Sequence, residues 1–506
     1  MNRKIGVILS YLLMVFEVLS TLLLTPYILR TLGQAEYGVY KLSASIIGYL
    51  LLLDLGIGNA VIRYASKFRI TNKHEEARKF LGVTTIYYLI VAFIALVSGI
   101  VLVLVFPTAF AKGLSLGEIV LGQKLLFITM INTAVTLGTA AYNNIIIAYE
   151  KFAVSKGVSI IQIIVRMLLT YLALKVGFGS IGIVLVNLVM TVISRTFFVA
   201  YVLLKIQLTP QLKGVDRDFI QEIFSYSSIV VIQMVATQIN YSVDQIMIGA
   251  LVATSSNILA VYSVGSQLVQ YFKTIGNSFT GVLMPGVVAL VERGTTPQRI
   301  TDEMVRVGRI MMIVLGLVWS GFLVCGPQFI DLWAGNENSQ AYIVASLLMT
   351  ANLIILPELI GHQFLWAMNK HKVQAYLKLS IVVVNIILTI FLIRWNPLIG
   401  AAIGTFISLI VGDLCVMNVV FSRYLKINMG TYYLRLFHGI GPCIMITLIV
   451  GYIFHTLSLP GWGGLLLNCA AMCIIYGILM ITVGMNKYEK NLILSILKKF
   501  YIRRGT

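Results

Sequence analysis

Six ionisable side chains fall near the middle of long apolar runs: Glu17, Arg166, Arg195, Lys273, Glu358 and Asp413. Asp54 and Asp244 lie nearer the ends of theirs. An ion at the centre of a bilayer costs about 2.5–3.5 kcal/mol on insertion scales, so such a group faces a cavity or a partner. Three kinds of chemistry are open to them: holding a charged cargo, holding a coupling ion, or pairing within the bundle. Glu358 and His362 stand four apart on one helical face. That spacing can begin a metal site, but no further ligand set follows it, so a proton relay or a plain buried hydrogen bond fits better. Gln233, Gln238, Asn240, Asp244 and Gln245 recur mostly at helical spacings, and the stretch around Lys273, from Tyr271 to Ser278, is polar as well. Lipid-facing helices do not carry such sets, so both segments are expected to line a cavity. No catalytic residue, metal or cofactor is expected.

The elements that position these groups follow from composition. Of 506 residues, 59% are hydrophobic and 11% charged, with mean hydropathy +0.93. A soluble chain carries about a quarter charged residues, so a water-soluble enzyme is excluded. About 20 apolar residues span a bilayer as a helix, and fourteen stretches qualify, from 8–29, through 158–176 and 309–332 among others, to 465–485. The runs are too long and unalternating for barrel strands. The expected fold is an all-α polytopic membrane protein. Pro26, Pro285, Pro327, Pro357 and Pro442 fall in or at the ends of spans and mark kinks. Gly56-x-Gly58 and Gly400-x-x-x-Gly404 follow no strand, so they read as close helix packing rather than nucleotide binding. The five cysteines lie in apolar runs and form no disulfide framework. The first apolar run lacks an Ala-x-Ala cleavage site and reads as a retained span.

Lys and Arg number 38 against 19 Asp and Glu, a net +19. The segment 63–80 and the tail beyond 486 are rich in them, whereas 252–258 and 457–464 have none. This alternation places both termini in the cytoplasm. Nearly all the surplus is therefore orientation, and it implies neither nucleic acid nor an anionic cargo.

The chain also resembles itself. Ala148-Tyr149-Glu150-Lys151 aligns with Ala367-Met368-Asn369-Lys370, and Leu169-Thr170 with Leu388-Thr389, 219 residues on. Gly182 matches Gly400, and Leu204-Lys205-Ile206-Gln207 matches Leu425-Lys426-Ile427-Asn428. At these offsets Arg195 corresponds to Asp413 and Arg166 to Asn385. The expected organisation is a six-helix lobe over 1–206, a cytoplasmic linker over 207–222, and a second six-helix lobe over 223–428. Two additional helices and a basic tail then occupy 429–506. Six is even, so the two copies enter the membrane from the same side. Such parallel repeats enclose a central site and open it to alternate faces.

One family is similar along the whole length. Thr25-Pro26-Tyr27-Ile28-Leu29-Arg30-Thr31-Leu32-Gly33, Glu36-Tyr37-Gly38-Val39-Tyr40 and Asp54-Leu55-Gly56-Ile57-Gly58 resemble the start of polysaccharide-biosynthesis flippases. These are lipid-linked oligosaccharide exporters of the multidrug/oligosaccharidyl-lipid/polysaccharide (MOP) superfamily. Asp244-Gln245-Ile246-Met247-Ile248-Gly249 with Ala260-Val261-Tyr262-Ser263, and Phe329-Ile330-Asp331-Leu332-Trp333-Ala334-Gly335, resemble later parts of that family. The resemblance implies a V-shaped pair of lobes in the inner (cytoplasmic) membrane, moving an undecaprenyl-pyrophosphate-linked sugar to the outer leaflet. It implies partners limited to that lipid-linked oligosaccharide, membrane lipids and other polysaccharide-assembly proteins, and no enzymatic activity. Arg30 on the matched motif would meet the anionic head group, with Arg166, Arg195 and Lys273 added from their depth. Glu17, Asp54, Gln238, Asn240, Asp244, Glu358 and His362 form the polar or coupling set. A drug/cation antiporter of the same superfamily is the alternative reading. A membrane-embedded polymerase or glycosyltransferase stands further off, because the connections are too short for the domain that chemistry needs.

Overall fold

The computed structural model describes residues 2–212, 234–240, 242–368, 370–456 and 460–502. Gln233, most of the expected 207–222 linker and the start of the expected seventh span lie outside the described residues. Among the described residues the chain is helical throughout, with no strand. In hydrocarbon an apolar segment satisfies its backbone internally only as a helix or within a closed barrel.

In chain order the helices are α1 (Asn2–Gly48), α2 (Ile57–Ile70), α3 (His74–Ala109), α4 (Leu116–Gly138), α5 (Ala140–Ala148), α6 (Phe152–Lys175) and α7 (Gly179–Tyr201). They continue with α8 (Ser242–Leu251), α9 (Ser256–Glu292), α10 (Pro297–Ala334), α11 (Ala341–Ile355), α12 (Leu359–Ala367) and α13 (His371–Ile393). The last are α14 (Pro397–Ser408), α15 (Met417–Val420), α16 (Met429–Phe437), α17 (Ile440–Thr456), α18 (Gly461–Leu479) and α19 (Lys487–Ile502). Among the described residues ten helical segments are long and apolar enough to cross a membrane, or eleven if the bent pair α16–α17 is one span. That is fewer than fourteen. The first of them, Leu9–Ile70, runs 62 residues, about three times one crossing. Gly33 interrupts it at φ 72°, ψ 170°, a conformation that a side chain disfavours.

The chain divides into two compact units. The first comprises Met1–Ser263 and Ile393–Ala401, the second Val264–Leu392 and Ala402–Thr506. Within the first, Ile57, Phe80, Tyr88, Ile145, Phe198 and Val202 form a core between α2, α3, α5 and α7. Within the second, Val324 and Cys325 of α10 pack on Leu465 and Met472 of α18. Lipid tails are as apolar as these side chains, so close packing rather than water exclusion holds such helices together. Gly404 serves that purpose: a Cβ there would lie 2.6 Å from the Thr389 hydroxyl.

Local geometry recurs at the offset that the sequence suggests. Helices α5 and α12 each have nine residues and begin 219 positions apart. Each ends in a pair of closing bonds: Tyr149 N to Ile145 O and Lys151 N to Ile146 O in one, Met368 N to Phe364 O and Lys370 N to Leu365 O in the other. Two π-helical turns, Val202–Ile206 and Phe421–Leu425, stop at left-handed residues, Gln207 at φ 57° and Lys426 at φ 56°. Those positions too are 219 apart, two residues out of register with the pairing of 204–207 and 425–428 read from the sequence. Of the prolines, Pro26 and Pro327 lie inside helices, and Pro357 opens the short 3-10 turn Leu356–Glu358 that separates α11 from α12.

Candidate functional site

The four expected anion-binding cations sit on four helices: Arg30 on α1, Arg166 on α6, Arg195 on α7 and Lys273 on α9. Arg30 is exposed, and the other three are half-buried. Tyr27 and Tyr171 meet between α1 and α6 as a tilted ring pair, with centroids 4.9 Å apart and planes at 36°. Arg166, earlier on α6, lies within electrostatic range of the Tyr40 hydroxyl. Lys41 places its ammonium over the Tyr37 and Tyr40 rings, 5.2 and 5.9 Å from their centroids. The Arg195 guanidinium stands 6.0 Å from the Phe198 ring centre. Cations over aromatic faces gain from the ring quadrupole while keeping their charge. This face of the first unit, on α1 and α6, is thus both aromatic and basic.

The polar segment around Asp244 packs against the same α1. A Cβ on Gly48 would lie 2.5 Å from the Gln238 amide nitrogen, and that amide donates to Ser242 Oγ at 2.7 Å. Gln245 accepts from the Ser45 hydroxyl and donates to Ser263 Oγ at 3.1 Å. Asp244 is buried and accepts from the Tyr262 hydroxyl. Asn240 is half-buried on the same segment. Most of this set is therefore engaged with its neighbours, and Asn240 is left as the half-buried amide beside it.

Residues that carry the family resemblance prove to be scaffold. Glu36 caps the start of α7, accepting from Ser180 N at 2.6 Å, where a carboxylate complements the helix dipole. Gly38 lets α1 meet α9: a Cβ would fall 2.0 Å from the Ser256 carbonyl oxygen. Asp54 closes a 3-10 turn and accepts from Tyr88 Oη at 2.7 Å. After it, Leu55 and Gly56 are left-handed, at φ 50° and 70°, so Gly56 makes a turn rather than a packing contact. Gly58 is the packing glycine of that pair, with the Asn144 amide 3.0 Å from where a Cβ would sit. Glu17 lies exposed on α1.

Glu358 and His362 lie in the second unit, where the chain passes from α11 to α12. Both are buried. Glu358 Oε1 accepts from the Tyr433 hydroxyl on α16. The His362 ring stands edge-on to Phe421 with centroids 5.3 Å apart. Tyr433, Tyr432, Asn418 and Gln374, which share this enclosure, carried no usable signal in the sequence, since a lone polar residue in an apolar run does not announce which helix it will meet. No group of three or more His, Cys, Asp or Glu poised to hold a metal occurs among the described residues.

A second centre was likewise hidden. Arg309, buried on α10, donates to both carboxylate oxygens of Glu489, at 2.6 and 3.1 Å. It also donates to the carbonyls of Arg435, His438 and Gly484, at 3.0, 2.7 and 2.7 Å. Beside it opens a cleft of about 530 Å³ that Arg435, His438 and Asn486 also line, holding none of the expected site residues.

Among known proteins, a Shigella flexneri protein described as an O-antigen transporter is 19% identical over 424 residues, covering 80% of this chain and 95% of its own length. The lipid II flippase MurJ in an inward closed conformation shares the fold, with TM-score 0.71, 15% identity, and coverage of 94% of this chain and 98% of MurJ. An inward-facing multidrug resistance transporter of the MATE family, in the MOP superfamily, follows at TM-score 0.59 and 13% identity, covering 80% of this chain and 95% of its own. The family model for polysaccharide biosynthesis proteins matches residues 5–291, more than half of the length. Fold, helical composition and that match agree: the chain belongs to the polysaccharide biosynthesis protein family.

Proposed function

We propose that this protein is a flippase, moving a polyprenyl-(pyro)phosphate-linked oligosaccharide from the cytoplasmic to the outer leaflet by alternating access. The observation that carries this reading is the family match over residues 5–291, on a fold similar to a lipid flippase across 94% of the chain. Arg30, Arg166, Arg195 and Lys273 are assigned to the anionic head group, and the aromatic, basic face of α1 and α6 supports Arg30 and Arg166 in that role. The sugar rings of such a cargo suit aromatic walls, and its phosphates suit the cations. Each negative charge carried outward against a negative cytoplasm gains about 2.3 kcal/mol per 100 mV, so the membrane potential favours export of an anion. The protein is assigned to the inner membrane with both termini in the cytoplasm, on the charge alternation of its connections. Two lobes, 1–206 and 223–428, are assigned from the internal offset, with 429–506 as an addition. Its partners in this reading are the lipid-linked cargo, the surrounding lipids and other polysaccharide-assembly proteins, and no catalytic step is assigned to it.

Deleting the gene should trap the lipid-linked sugar in the inner leaflet, as read by accessibility of the sugar to an impermeant probe. Normal appearance of the sugar in the outer leaflet would overturn the reading. The drug/cation antiporter reading keeps the fold in common, but the family match favours the sugar exporter. A resistance assay with a pH-gradient readout separates the two.

A further inference from the structure

The joint between α11 and α12 encloses a group of polar atoms for which anion transport has no use. Glu358 is fully buried there, with one oxygen engaged by Tyr433 and the other, Oε2, unpaired. Two more buried atoms nearby also lack a partner, Asn418 Oδ1 and the Tyr432 hydroxyl, while Gln374 of α13 is within hydrogen-bonding range of the His362 ring. Asn418 Nδ2 donates to the Tyr433 hydroxyl at 2.9 Å, which links it to Glu358. Gln374 and Lys378 of α13 lie beside His362, and Asp413 lies within electrostatic range of Glu358. No ion pair reaches Glu358 among the described residues.

Acceptors prevail around the carboxyl, although the Tyr432 hydroxyl can donate as well as accept. Two amide oxygens and an ionised carboxylate oxygen can only accept, and a buried acceptor left unpaired is destabilising. A proton corrects the imbalance, since it turns Glu358 Oε2 into a donor. The joint 219 residues earlier supplies an internal comparison. There, between α4 and α5, the positions of Glu358, His362 and Gln374 are held by Thr139, Asn143 and Ser155. Thr139 Oγ1 donates to Val135 O at 2.6 Å, and Ser155 Oγ donates to Asn143 Oδ1 at 3.3 Å. None of those three positions carries an ionisable group, so the bend itself needs neither a carboxyl nor an imidazole there.

We propose that the α11–α12 joint is a proton-binding site, with Glu358 as the group that takes up and releases the proton and Tyr433 and His362 as positioning residues. The proton adds to Glu358 Oε2 and leaves by the same O–H bond, with no other bond made or broken. Use of this site to drive transport rests on the flippase reading; proton binding itself does not.

The test is infrared difference spectroscopy on the full chain in lipid nanodiscs, following the C=O band of a protonated carboxyl through a pH titration. Wild type should show one titrating buried carboxyl band that is lost in Glu358→Gln and kept, with a moved midpoint, in Glu358→Asp. His362→Asn should shift the midpoint, and Asp413→Asn should keep the band. An identical titration in wild type and Glu358→Gln would overturn the proposal. So would Na⁺ abolishing the band at fixed pH, which would make this a metal-cation site. In cells, Glu358→Gln should be inserted normally yet export its cargo without dependence on a pH gradient, and export with unchanged pH dependence would overturn the coupling role. Failure of wild type to move any lipid-linked sugar would instead sink the flippase reading and leave the spectroscopic result standing.

Discussion

The guanidinium of Arg309 grips the carboxylate of Glu489 with two bonds, 2.6 and 3.1 Å long, across 180 residues of chain. Glu489 is held in turn by Asn486, which donates from its backbone and side chain at 2.8 and 3.0 Å. With the four carbonyls that Arg309 also reaches, those of Arg435, Leu436, His438 and Gly484, one cation joins α10, the α16–α17 bend, the turn that follows α18 and the start of α19. The last helices of the chain are thereby fastened to the second unit.

Removing one partner of a buried pair strands the other charge, at a cost of about 3–5 kcal/mol. Arg309→Ala and Glu489→Ala should each lower the thermal midpoint of the detergent-solubilised protein markedly. The double substitution should cost less than the two single costs added together. Additive effects would show that the pair is not coupled.

Gly38 allows an approach that no other residue permits, because its missing Cβ faces a carbonyl oxygen of α9 at 2.0 Å. Gly38→Ala should destabilise by about 1–3 kcal/mol through overpacking, seen as a lower melting midpoint. Gly117→Ala, with nothing within 4 Å of its would-be Cβ, should leave the midpoint nearly unmoved.

Neutralising the expected cargo cations separates binding from folding. Arg166→Gln and Lys273→Gln should each lower export severalfold while the protein accumulates normally in the membrane. Normal export by both would withdraw them from the site.

Asp54 is fixed by Tyr88, so its role is read as that of an acceptor rather than an ion carrier. Asp54→Asn preserves an acceptor oxygen and should keep most export activity, whereas Asp54→Leu should reduce the yield of folded protein. Loss of export in Asp54→Asn at full yield would assign the carboxylate a part in coupling.

Much of the helical layout was legible in the sequence, because apolar runs bounded by charge and glycine leave the backbone few alternatives. The expected span 158–176 falls within a few residues of α6, and 309–332 lies inside α10. The motif glycines were legible as a pair but not by role, since spacing alone does not separate the left-handed Gly56 from the close-packed Gly58. The polar cluster at Glu358 was half legible. Its i, i+4 spacing pointed to His362, while Tyr433 lies 75 residues on. Arg309 was missed for the same reason. At the edge of an expected span a cation reads as an orientation signal, and nothing in its neighbourhood names Glu489 as the partner.

The two nine-residue helices α5 and α12 carry a consequence for how this molecule can change over time. The same bend is built once from threonine, asparagine and serine, and once with glutamate, histidine and glutamine. Its shape therefore does not depend on its chemistry. A lineage can alter the ion that one joint handles, or silence it altogether, and keep the mechanics intact. Retuning the energy source of such a transporter takes a handful of substitutions at one elbow, with no new architecture.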